Sequence, residues 1–124
     1  MSDLYKLRDA NRARQKFWPG HEAASDIEFR SIEFAGEAGE VSDAVKKLLR
    51  FDRGIAGNKG QTREELVTAI KEEVGDVLIS LDMLADAVGI DMRGAIADKF
   101  NKTSHKVGIP VMVNSETLDV IIAP

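Results

Sequence analysis

The 124-residue sequence has no cysteine, which removes disulfides, thiolate metal sites and thiol nucleophiles, and is compatible with a reducing compartment. It has only two histidines. Neither follows a glutamate by three residues, so the Glu-x-x-His spacing of di-iron bundles is missing and a redox di-metal bundle is disfavoured. No apolar run approaches the roughly 18 residues of a membrane span, and the start, MSDLYKLRDANRARQ, is polar where a signal peptide needs an apolar stretch. Secretion and membrane insertion are therefore disfavoured, and a cytoplasmic location is expected. A net charge of -4 argues against nucleic acid as the main ligand, because gripping a polyphosphate backbone takes many basic contacts. There is no low-complexity segment and no internal repeat of roughly 20–50 residues.

What is present is ordinary for a folded chain, with 44% hydrophobic and 31% charged residues. This length fits a single domain over residues 1–124 with a modest core. Leu4, Leu7, Ala10, Ala13, Arg14 and Phe17 recur at three- and four-residue spacing, predicting a first helix over about 3–17 that Pro19-Gly20 breaks, with Trp18 at the break. Ser25-x-x-Glu28 has capping-box spacing, and Ile27, Phe34, Ala38, Val41, Val45 and Leu48 continue a helical period to about residue 51. Residues 52–61, DRGIAGNKGQ, read as a mobile loop. Thr62-x-x-Glu65 repeats the capping box, and Leu66, Ile70, Val74, Val77, Leu81, Leu84 and Val88 form a stripe that ends at Gly89. Asp91 can cap a fourth helix over about 92–106, closed by Gly108 and Pro110. The tail VMVNSETLDVIIAP suggests a short hairpin or extended arm. The expected fold is an all-α bundle of about four helices, two of them long and antiparallel, with its helical part over about 3–107 and a C-terminal arm over 108–124.

The two long helices carry the same acidic device. At about 100° of rotation per residue, Glu37 and Glu40 lie at the margin of the first apolar stripe, and Glu73 and Asp76 lie at the same margin of the second. Each is an i, i+3 carboxylate pair on one side of its helix. If the helices pack antiparallel, four carboxylates converge, repel one another and raise one another's pKa unless a cation joins them. Oxygen-only ligands favour Mg²⁺, with Mn²⁺ as a substitute. Magnesium held by carboxylates usually also meets substrate phosphates, which suggests a nucleotide or other phosphorylated substrate. The plain alternative is that all four are solvated helix charges.

Lys99, Lys102 and Lys106 project within about 60° of one another. That cationic face can meet phosphate charges, with Asn101, Thr103 or Ser104 adding hydrogen bonds, or it can be a solvated face near a helix C-terminus. Trp18 can stack on a nucleobase or fill the core. His21 and Arg30 are near enough in sequence to join a base pocket.

The segments E37AGE40, E72EVGD76 and GIDMRGAIADKFNKTSHK, in that order, resemble the MazG-like nucleoside triphosphate pyrophosphohydrolases of the all-α NTP pyrophosphatase superfamily. Their pattern is E-E-x-x-E, then E-x-x-D, then a Lys-rich helix, and the likeness covers roughly residues 25–110. It implies hydrolysis of a nucleoside triphosphate between the α and β phosphates. By the same likeness Glu37, Glu40, Glu73 and Asp76 are the magnesium ligands, Lys99 and Lys102 contact phosphate, and Glu72 or Glu40 is the base. It also implies a homodimer or homotetramer whose second chain completes the site. The chain departs from the pattern at Gly36, where the first Glu of the leading pair is missing, and at Thr103, where many relatives carry Asn. The competing function is a helical binding or scaffold module that keeps the bundle without turnover.

Overall fold

The computed structural model describes residues 3–124. Four helices, α1 (Asp3–Gln15), α2 (Ile27–Asp52), α3 (Arg63–Val88) and α4 (Met92–Val107), are followed by a hairpin of β1 (Val111–Val113) and β2 (Val120–Ile122). The two 26-residue helices α2 and α3, each about 39 Å long, pack along one another as the spine of the fold. The all-α bundle with a C-terminal hairpin agrees with the expectation from sequence.

The boundaries follow local chemistry, with three corrections. First, α1 stops at Gln15, short of residue 17, and a single 3₁₀ turn over His21–Ala24 intervenes before α2. Second, the α2 N-cap is Asp26, not Ser25: the Asp26 carboxylate accepts from the Phe29 amide at 2.8 Å, while the Ser25 hydroxyl donates to the His21 carbonyl. Third, α2 runs through Asp52, so the connecting loop covers 53–62. Arg63 pairs with Asp52 across it at 3.0 and 3.3 Å, and the Asn58 amide donates to the Lys47 carbonyl at 3.0 Å. At the start of α3, Thr62 accepts from the Glu65 amide at 3.1 Å. Gly89 closes that helix in the left-handed region at φ 81, a conformation glycine adopts without a Cβ clash.

The first helix is fastened to α3 by polar contacts, while Leu4 and Leu7 stay half-buried. The buried residue on α1 is Asn11, whose amide donates to Asp82 at 2.9 Å. Arg8 reaches the other Asp82 oxygen at 2.9 Å, and Arg12 grips Asp86 through two bonds of 2.9 and 2.7 Å. The Arg12 hydrogen bonds hold the Asp86 carboxyl below its usual range. Asp82 is completely buried, so these partners supply the hydrogen bonds that a carboxylate loses on leaving water.

Very little apolar side chain is fully enclosed. Ala44, Leu66, Ala85 and Ala97 are the buried hydrophobic residues, whereas Leu78, Val88, Ile96 and Phe100 stay open. The main neighbour of α4 is β1, not α3. Between α3 and α4 lies an apolar cavity of about 1000 Å³. The accessible surface is 8754 Å², against about 6,600 Å² expected for a compact monomer of this mass. Asn101 joins α4 to the hairpin, donating to the Val113 carbonyl at 3.0 Å and accepting from its amide at 2.8 Å. Among the described residues no helix is long and apolar enough to cross a membrane.

Candidate functional site

Where α2 and α3 run side by side, the spacing of Glu73 and Asp76 puts both carboxylates on the flank that faces Glu37. Ligand oxygens from Glu37, Glu73 and Asp76 all lie within 4.8 Å of one another. Glu40, one turn beyond Glu37, stands outside that set of three but within hydrogen-bonding reach of both Glu37 and Glu73.

The electrostatics are those of a crowded anionic site. Loss of solvent raises the Glu37 carboxyl above its ordinary value, and the charges of Glu40, Asp76 and Glu33 add to the effect. Glu73 is raised first by desolvation, then by its contact with Glu40 and the charges of Glu40, Asp76 and Glu37. One oxygen of Glu37 and one of Glu73 are shut off from solvent with no hydrogen-bond partner. Orphaned buried acceptors of this kind are costly, and a hard divalent cation would satisfy both. An all-oxygen donor set with two unclaimed atoms fits Mg²⁺ or Mn²⁺, so the triad can coordinate a divalent metal.

Two cavities flank the carboxylates. One, of about 440 Å³, includes Trp18, Phe29, Arg30, Glu33, Glu37 and Asp76 in its wall. The other, of about 320 Å³, includes Glu40, Asp43, Lys47, Gln61 and Glu73. Trp18 thus lies at the mouth of the first cavity, 59% exposed, and does not fill the core. Arg30 lines the same wall; His21 lies outside it, its ring nitrogen 3.3 Å from the Trp18 carbonyl.

The remaining candidates lie elsewhere. Glu72 is exposed and lines neither flanking cavity. Lys99, Thr103 and Ser104 border the apolar cavity between α3 and α4. Lys102 is exposed on the same helix, and the Asn101 side chain is engaged with Val113. Within one chain the basic stripe does not join the acidic cluster. Glu33 and Lys47 are charged wall residues that the sequence patterns did not single out. Glu33 is one turn before Glu37 on the same face, so the rotation that found Glu37 also points to it. Lys47 sits in an ordinary-looking ion pair with Asp43 at 3.2 Å, which nothing in the sequence distinguishes.

Residues 32–108 match the model of the MazG nucleotide pyrophosphohydrolase domain. The chain belongs to the MazG family. The match covers α2 from residue 32 onward and all of α3 and α4, so the four carboxylates and the lysine stripe all lie inside the MazG domain. Comparison with curated proteins and with solved structures gives no match. The MazG assignment makes the chain a member of a family of nucleotide pyrophosphohydrolases.

Proposed function

We propose that this MazG protein is a Mg²⁺-dependent nucleoside triphosphate pyrophosphohydrolase, cleaving between the α and β phosphates to give a nucleoside monophosphate and pyrophosphate, in the service of nucleotide-pool sanitation. The observation that carries this reading is the meeting of Glu37, Glu73 and Asp76 with two buried, unpartnered oxygens among them, within a MazG domain. Those three residues hold the metal, with Glu40 completing the set or standing beside it. Bound there, Mg²⁺ supplies neutralisation of phosphate charge and a lowered pKa for a nearby water. Glu40 is the better base than Glu72: it borders the second cavity with Glu73, so it can take a proton from a water attacking at that edge of the cluster. Trp18 offers a stacking face across the first cavity, putting the nucleoside on one side of the carboxylates and the departing pyrophosphate on the other.

The working form is a homo-oligomer, a dimer or tetramer. The surface excess of about 2,000 Å² over a compact monomer is on the scale of one subunit's share of an obligate interface, and the walls of the α3–α4 cavity supply its apolar character. A second copy seated there also gives Lys99 and Lys102 a route to a phosphate chain that they lack within one subunit.

The test is pyrophosphate release from a panel of dNTPs and NTPs with Mg²⁺. Turnover of at least one triphosphate, abolished by chelation, is expected. Absence of release from every nucleotide would instead favour a binding or scaffold module.

A further inference from the structure

Arg30 combines two features that rarely occur together. It is 5% exposed, and among the described residues its guanidinium has a single hydrogen-bond partner, Glu33, at 3.1 Å. A guanidinium carries five N–H donors in a fixed fork, so most of this buried cation's capacity is unclaimed. It lies in the wall of the 440 Å³ cavity that Trp18 and Asp76 also line, a volume within the roughly 300–1,000 Å³ of small-molecule sites.

Its distance from the carboxylates decides what it meets. The Arg30 backbone precedes Glu37 by seven residues, about 10 Å of helix rise, and its guanidinium rests against Glu33, one turn (about 6 Å) short of Glu37. The two therefore address different parts of one ligand, separated by about the span of a sugar between phosphate and base. At the base end, Trp18 supplies a stacking surface and Arg30 a planar pair of donors. Such a fork is best matched by two adjacent acceptors, and among the bases the O6 and N7 pair of guanine is its commonest bidentate partner. Adenine places an N6 amino group beside N7, setting donor against donor. Resting on the nucleotide-site reading above, we propose that Arg30, held in place by Glu33, is a specificity-determining residue that reads the O6/N7 edge of a guanine base and selects guanine over adenine nucleotides.

The parent protein alone can test this. With Mg²⁺, kcat/KM for dGTP is expected to exceed that for dATP by about 10-fold or more, the scale of one good bidentate contact. 7-Deaza-dGTP, which lacks N7, falls about 10-fold, whereas dITP, which keeps O6 and N7, does not. In Arg30→Met the dGTP/dATP ratio collapses toward one while dATP turnover persists; Arg30→Lys, a point charge without the fork, is intermediate. Equal turnover of dGTP and dATP, preference for dCTP, insensitivity to the 7-deaza change, or a uniform loss across nucleotides in Arg30→Met would each overturn the assignment. Should Arg30→Met fail to fold, the 7-deaza comparison decides. Absence of hydrolysis of every triphosphate refutes the catalytic reading separately. The guanine selection is then read from calorimetric binding of dGTP and dATP with Mg²⁺, where equal affinity or no binding overturns it.

Discussion

The acidic pairs of α2 and α3 find each other inside one chain, whereas the basic stripe of α4 lines neither cavity that flanks them. Both patterns are charged residues at helical spacing, and on a helical wheel they look alike. They differ in what lies behind them. The acidic residues border the seam of the best-packed helix pair in the fold, so the packing that buries the apolar stripes also forces the carboxylates together. The lysines ride on a helix that contacts mainly the hairpin, next to a large apolar cavity. The acidic site is assembled within one subunit; on the proposed reading, a second copy completes the basic one.

The largest loss is expected at Glu73. Glu73→Gln replaces one carboxylate oxygen by an amide NH2 and removes the negative charge from the triad, and turnover with Mg²⁺ is expected to fall about 100-fold or more, the scale on which loss of a single electrostatic stabiliser acts. Folding is spared, because one fewer charge relieves the crowding that raises its neighbours. Pyrophosphate release alongside thermal unfolding reads both effects, and unaltered turnover would remove Glu73 from the site.

On the other side, Phe100→Asp puts a charge into the wall of the α3–α4 cavity. If that wall is covered by a second copy, light scattering shows the particle mass dropping to that of one chain, with activity lost alongside. An unchanged mass would mean the subunits meet elsewhere.

The smallest effect expected is in the pH dependence of metal stabilisation. Glu37 and Glu73 have raised pKa values in the folded state, so the metal-free fold binds protons more tightly there than the unfolded chain does. Their contribution is neutral below the ordinary Glu value of about 4.3. It turns against folding as pH rises through the raised values and stays unfavourable above them. Asp86, whose pKa is lowered, acts in the opposite sense: its stabilisation is present above the ordinary Asp value of about 3.9 and is lost as pH falls through the lowered one. Mg²⁺ is therefore expected to raise the Tm more at pH 8 than at pH 5, by a few degrees. A larger gain at pH 5 would contradict a carboxylate site.

Much of the helical plan is legible because its signals are local. Thr62, Gly89, Asp91 and Gly108 act where the chain itself needs a cap or a stop. Ser25 misled because Asp26 beside it competes for the same role, and choosing between adjacent cap residues depends on where the preceding 3₁₀ turn ends. The α1 spacing predicts the helix but not what fastens it. Periodicity counts apolar residues, and the inward side of this helix is held by Arg8, Asn11 and Arg12 against Asp82 and Asp86, partners 70-odd residues away that no spacing rule connects.

The four helices, the matched carboxylate pairs and the oxygen-only donor chemistry were readable from residue order, because helical rotation turns residue number into direction without any knowledge of neighbours. Tertiary structure alone decided which of those directions meet. It brought Glu37 onto Glu73 and Asp76, closed the wall that includes Trp18, Arg30 and Glu33, and left the lysines of α4 apart. Contacts between helices depend on how apolar faces settle against one another across long stretches of chain, and that outcome is written in no single segment.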